Sequence, residues 1–290
     1  MNAKRSSGAF YAYHAFKYSI YCLLALNIWL FFLEDYAASS ATFTNGIDWR
    51  NIVEAFSATF DTLAWVILLL LFELETAVIS DEKLKGSLKW LLSAVRILCY
   101  FFITWSLYGY FAKYGVVTDL VPFTQLDACA LVNSDYLYVL RLDDYPPITP
   151  DICGAMQGQA LWQIAGTQII GTEQQLGLAR TLAFTDIINA TDWLLIVILL
   201  EVEVWLQLKG HLSSRLLIAN KITKGLLYSV LFACAIYWGI DGDFLDFWDA
   251  FLWLVAFVFI EMNIFEWHAE SAQSGATKSN EPAAPLTSSG

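Results

Sequence analysis

From Phe60 to Phe72 the chain offers a solvent only two polar side chains, Asp61 and Thr62, and comparable apolar runs recur along its length. They lie roughly at 17–36, 53–80, 88–112, 182–208, 222–240 and 244–264. Each approaches the ~20 residues that a helix needs to cross a hydrocarbon core. Buried strands of soluble enzymes are apolar too, but they are shorter and are broken by Gly and polar turns. A helix in lipid satisfies its own backbone hydrogen bonds, so such lengths are tolerable there. With 58% hydrophobic residues, 15% charged residues and a mean hydropathy of +0.53, the composition lies outside that of a soluble domain. The expectation is an all-α integral membrane protein with six spanning helices.

Lys and Arg set the expected orientation. Lys4, Arg5 and Lys17 precede the first helix, Lys83, Lys85 and Lys89 join helices 2 and 3, and Lys209, Arg215, Lys221 and Lys224 join helices 4 and 5. The opposite loops hold Arg50, Lys113, Arg141 and Arg180. The positive-inside rule then places both termini in the cytoplasm and residues 113–181 outside, in a plasma membrane such as a bacterial inner membrane. The first segment ends in Glu34-Asp35 and reads as an uncleaved anchor rather than a signal peptide.

One pattern is written three times, at the even-numbered helices. Helix 2 carries Asp61, Trp65, Glu73 and Glu75; helix 4 carries Asn189, Trp193, Glu201 and Glu203; helix 6 carries Asp249, Trp253, Glu261 and Asn263. The spacing is the same in all three: Asp or Asn, three residues, Trp, seven residues, Glu, one residue, Glu or Asn. The odd helices repeat more loosely, from a Lys (Lys17, Lys89, Lys224) to a Trp (Trp29, Trp105, Trp238). The unit is a two-helix hairpin, and since each copy runs in the same direction, the copies are parallel repeats about an axis along the membrane normal. This predicts a pseudo-threefold bundle: hairpin one over 1–80, helix 3 over 81–112, an outer cap over 113–181, helix 4 over 182–208, hairpin three over 209–268 and a polar tail over 269–290 expected to be disordered. Pro122, Asp143-Asp144, Tyr145-Pro146-Pro147 and Pro150 suggest a compact cap with short amphipathic helices. Cys129 and Cys153, both in that cap, are expected to pair as a disulfide.

An ionisable side chain within a bilayer costs at least ~2.5–3.5 kcal/mol on insertion scales, so it is a functional candidate by default. The repeat predicts an outer acidic tier of Asp61, Asn189 or Asp192, and Asp249, and an inner ion-binding tier of Glu73, Glu201 and Glu261 with Glu75, Glu203 and Asn263 just below. Positions i and i+2 lie about 200° apart on a helix, so Glu73 and Glu75 cannot share one axis. Glu75 falls on the face of Asp61 and Trp65, while Glu73 points elsewhere, towards the adjoining hairpin, and Arg96 is the cation best placed to neutralise one of the two. Carboxylate and amide oxygens suit hard cations, and clustered acids relieve their repulsion by taking up protons.

The expected function is therefore a transporter or channel-like protein that moves or senses H⁺, Na⁺ or a divalent cation through these carboxylates, supported by the deep Trp65, Trp193 and Trp253. The alternative is a non-catalytic scaffold or accessory subunit whose Glu and Trp faces dock partner helices or lipids. No catalytic centre is expected: His14, His211 and His268 are scattered and no nucleophile motif is present. No cofactor is implied beyond a bound cation. A net charge of −12 and a pI near 4.6 speak against nucleic acid. The partners implied are the bilayer and either other membrane proteins or further copies of this chain. Acidic residues of the outer loops, Asp119, Asp127, Asp135, Asp143, Asp144, Asp151, Asp241 and Asp243, read as a solvated surface.

Overall fold

The computed structural model describes residues 7–44, 46–75, 79, 85–124, 127–208, 214–241, 243–257 and 259. In chain order the helices are α1 (Ser7–Thr42), α2 (Ile52–Ala55), α3 (Ser57–Glu73), α4 (Ser87–Thr118), α5 (Pro150–Met156), α6 (Glu173–Leu208), α7 (Ser214–Asp241) and α8 (244–257). Of the described residues 76% are helical, and among them four helices are long and apolar enough to cross a membrane: those over Tyr11–Thr42, Ser87–Thr118, Glu173–Glu203 and Ile218–Asp241. None of the six prolines falls within these four, and Pro150 stands in the first turn of α5, where its missing N–H costs nothing.

Consecutive long helices are neighbours: α1 packs on α3, α3 on α4, α4 on α6 and α6 on α7. The circuit closes where α8 meets α1, through a 2.7 Å hydrogen bond from Asn27 Nδ2 to Asp249 Oδ1. Tyr13 and Phe16 of α1 also pack edge-on against Phe259. Leu24, Ile196 and Ala256 are wholly buried at the centre. Phe56, at φ −128 and ψ 35, separates α2 from α3. Asp35 of α1 then takes hydrogen bonds from Thr59 N (2.9 Å) and Thr59 Oγ1 (2.7 Å), so a carboxylate satisfies orphan donors at the positive end of α3.

Gly109 of α4 marks a close approach to α2 and the start of α3. A Cβ there would stand 2.6 Å from the Val53 carbonyl oxygen of α2 and 3.0 Å from Ser57 Cβ. The backbone of α2 cannot rotate out of the way as a side chain would. Gly109→Ala is expected to cost about 1–3 kcal/mol through overpacking, read as a lowered unfolding temperature in detergent.

The cap is not the all-helical element expected from the sequence. It contains a four-stranded sheet of β1 (Leu120–Phe123), β2 (Leu137–Tyr138), β3 (Leu161–Ile164) and β4 (Ile169–Thr172), in the order β1-β3-β4-β2. β1 and β4 flank β3 antiparallel, and β2 lies parallel to β4. Strands of two to four residues are too short for an alternating pattern to be read from sequence. The expected disulfide is present: Cys129–Cys153 joins a 3-10 turn at Ala128–Leu131 to α5, which Thr149 caps by accepting from Ile152 N. The cap is also narrower than 113–181, since α4 continues to Thr118 and α6 begins at Glu173, directly after β4. Hydropathy detects only the apolar part of a helix, and the first turns of α6 carry Gln174, Gln175 and Arg180. The tail at 269–290, together with Glu261 and Asn263, lies outside the described residues.

Candidate functional site

The three tryptophans of the repeat meet. Trp65, Trp193 and Trp253 lie with ring centroids 6.1, 6.4 and 6.2 Å apart in the three pairings, within the range of favourable aromatic contacts. All three are buried, and the apolar core continues from them through Leu24, Leu69, Ile196, Leu252 and Ala256. Interlocked aromatic and aliphatic side chains fill this level of the bundle.

Towards the cap, two of these tryptophans, Trp193 and Trp253, line a cavity of about 60 Å³, room for a few water molecules. Its walls are acidic. α1 contributes Glu34 and Asp35, α3 contributes Asp61, α6 contributes Asp186, and α8 with the residue before it contributes Asp243, Asp246 and Asp249. Asp143 enters from the cap. Against these eight carboxylates stands one ammonium, that of Lys113, at 2.7 Å from Asp143 Oδ2 and 3.6 Å from Asp35 Oδ1. Neutral donors serve several of the others. Trp65 Nε1 donates to Asp61 Oδ1 one turn back at 3.1 Å, the Trp253 side chain hydrogen-bonds to Asp249 across the same four-residue step, and Tyr110 OH reaches Asp61 Oδ2 at 3.5 Å. Asn189 also lines the cavity, and its Oδ1 has no hydrogen-bond partner among the described residues. Of the two outer-tier alternatives on α6 the cavity takes Asn189; Asp192 is buried but does not line it.

The inner tier is built differently. Glu73 is buried with Lys17, whose Nζ stands 2.7 and 2.6 Å from its two oxygens, and the hydroxyls of Tyr18 and Tyr21 donate to it at 3.2 and 3.4 Å. Glu75 pairs with Arg96 Nη2 of α4 at 2.5 Å, and Glu203 with Lys224 Nζ of α7 at 2.5 Å. Glu201 is exposed and accepts from Tyr100 OH at 3.0 Å. Of the expected ring of Glu73, Glu201 and Glu261, Glu73 engages α1 and Glu201 engages α4, while Glu261 lies outside the described residues. Glu73 does not turn to the adjoining hairpin: its partner is α1, and it is Glu75 that reaches α4. Among the described residues no group of three His, Cys, Asp or Glu is placed to hold a metal ion.

Sequence reasoning overlooked Asp186 and Asp246, although the repeat pointed to them. They stand three residues before Asn189 and Asp249, one turn up the same face, where helix 2 has Ala58. Glu34, Asp35, Lys113, Asp143 and Asp243 carried no such signal. For Asp143 and Asp243 the expectation of a solvated surface is corrected, since both are half-buried in the wall of this cavity.

Asp243 begins α8 and accepts from the backbone N–H of Asp246, the geometry of an N-cap. Burial pushes its carboxyl above the ordinary carboxylate range, with Asp143 adding to the rise, while the Asp246 hydrogen bonds and Arg141 oppose it. A carboxyl raised in the fold favours the folded state only while protonated, so its contribution is lost as pH rises through the folded pKa. Asn caps a helix as well as Asp does. Asp243→Asn should therefore unfold at a higher temperature than the parent in mildly alkaline detergent, the difference shrinking as pH falls; an unchanged difference across the titration would contradict this.

Comparison of the chain with protein-family models, with curated proteins and with solved structures gives no match.

Proposed function

We propose that the chain moves or senses cations, protons foremost, through the acidic cavity between the tryptophans and the cap. The observation that carries this reading is the ratio of eight carboxylates to one lysine in the lining of one cavity. An unpaired buried charge costs several kcal/mol even after relaxation. Lys113 in the lining and Arg141 near Asp243 cannot balance eight carboxylates, so protons or cations drawn from outside complete the set. The carboxylates are spread over several helices, each with its own neutral donor or neighbour, which suits proton exchange group by group. The packed core beneath the cavity favours a carrier or sensor over an open pore.

In this reading the six apolar segments all span the bilayer, as three parallel hairpins about a pseudo-threefold axis. The near-equal spacing of the three tryptophans supports that symmetry. α3, with 17 residues, is just long enough to cross. The distribution of Lys and Arg places the termini in the cytoplasm and the cap outside, where its disulfide would be stable.

The test is flux through the full-length chain in proteoliposomes under imposed gradients of H⁺, Na⁺, K⁺ and Ca²⁺, against protein-free liposomes. Flux of at least one cation is expected; none above the leak, together with no cation-dependent shift in thermal unfolding, would remove the reading.

A further inference from the structure

We propose that the tip of a hairpin in the cap, Leu142-Asp143, is a tethered plug in the outer mouth of the acidic cavity, latched there by Lys113. The inference rests on the reading of that cavity as a cation site and concerns access to it. The tip is a tight turn: Leu140 N donates to Asp144 O at 3.1 Å, and Arg141 and Asp144 exchange backbone hydrogen bonds at 3.4 Å. An exposed turn of this kind would point its tip at water. Here Leu142 is 5% exposed, while its neighbours Leu140 and Asp144 on either side are exposed. Leu142 joins the core formed by Ala179, Ala183, Trp238 and Ala250, so the tip of an extramembrane element is packed among the bundle helices.

Asp143 has φ 62, in the left-handed region that Gly or Asn occupies more readily. Such a conformation persists where surroundings hold it, and the holding group is evident: Lys113 Nζ lies 2.7 Å from Asp143 Oδ2 while staying 3.6 Å from Asp35 on α1. One ammonium thus ties the tip to two helices. Asp143 and Lys113 also border a second, smaller cavity of about 20 Å³ on the side of Ala38, Glu54 and Val117, so there is free space on both sides of the latch. The base of the hairpin is fixed, with Val139 N bonded to Ile170 O and Tyr138 N to Pro146 O. A rigid base, a charged tip latched by the Lys113 ion pair and adjacent space make a plug that swings when the ion pair opens. A cation or proton arriving at Asp35 or Asp143 competes directly with the ammonium, so the ligand of the cavity would itself release the latch.

The test reads access separately from transport. With Cys22, Cys99 and Cys234 replaced by Ala and the disulfide kept, Ala58→Cys on the cavity wall is reacted in the full-length, detergent-solubilised protein with a charged, membrane-impermeant methanethiosulfonate. Asp143→Asn retains a residue that accepts positive φ but removes the charge, and Lys113→Gln opens the same latch from the helix side with the tip left native. Each is expected to speed labelling about ten-fold or more, the scale of one lost hydrogen bond between charged groups. Labelling within about two-fold of the parent in both variants, each shown to be monodisperse and disulfide-bonded, would overturn the plug. Faster labelling without cation flux in liposomes would keep the plug and sink the transport reading; unchanged labelling with intact flux would sink the plug alone.

Discussion

Replacing Asp61 and Asp249 together by Asn is expected to reduce cation flux in proteoliposomes to the leak of protein-free membranes, whereas Glu201→Gln keeps the flux of the parent. The two aspartates are equivalent in the repeat, and each is held by the indole four residues on. Asn preserves the size of the side chain and can still accept from that indole, so the tryptophan cluster should stay in place. What is lost is the capacity to exchange a proton or to balance a cation. Glu201 is exposed, accepts from Tyr100 OH and does not line the acidic cavity. The contrast separates the two tiers: parental flux in the double variant with loss in Glu201→Gln would return the ion path to the opposite end of the bundle. Thermal unfolding measured alongside shows that a silent double variant is folded.

Why the site lies nearer the cap than the sequence suggested follows from what a linear pattern can and cannot show. The three Trp positions and the Asp61, Asn189 and Asp249 tier were legible because fixed spacing on a helix fixes both depth and face. The same geometry foretold that Glu73 and Glu75 diverge, and Arg96 does neutralise one of them. It did not show that Lys17, read as a marker of the cytoplasmic side, would be buried against Glu73. A lysine near a helix end looks alike in sequence whether it reaches solvent or a partner helix. Glu34, Asp35 and Lys113 were passed over for that reason, and Asp143 because a charged turn ordinarily faces water. Their burial is a property of closure: α8 returning to α1 and the cap hairpin dropping between helices bring together polar groups more than two hundred residues apart in the chain, as Asn27 and Asp249 illustrate. The sheet escaped notice for a different reason, its strands being shorter than the period that would reveal them. The described helices agree with a membrane protein at the level of length and composition, and the repeat register supplies the finer assignment proposed above.

Breaking the Lys17–Glu73 pair is expected to be the most destabilising single change in the chain. Lys17 is 1% and Glu73 5% exposed, so neither charge can turn to water if the other is removed. Loss of one partner from a buried pair costs about 3–5 kcal/mol, because the survivor keeps its desolvation penalty without its counter-charge. Lys17→Met and Glu73→Gln should each lower stability on that scale in a detergent unfolding titration, with Tyr18 and Tyr21 left donating to an uncompensated carboxylate in the first case. The double variant Lys17→Met, Glu73→Leu removes both charges and is expected to recover most of the loss, since apolar side chains of similar volume replace buried ion pairs at little cost. If the pair only set helix register through local packing, the two single costs would add in the double variant instead. Recovery would show that α1 and α3 are held at this depth by charge compensation rather than by shape. It would also explain why a carboxylate can persist at the inner position of the repeat without serving as an ion site: its cation is already built into the neighbouring helix.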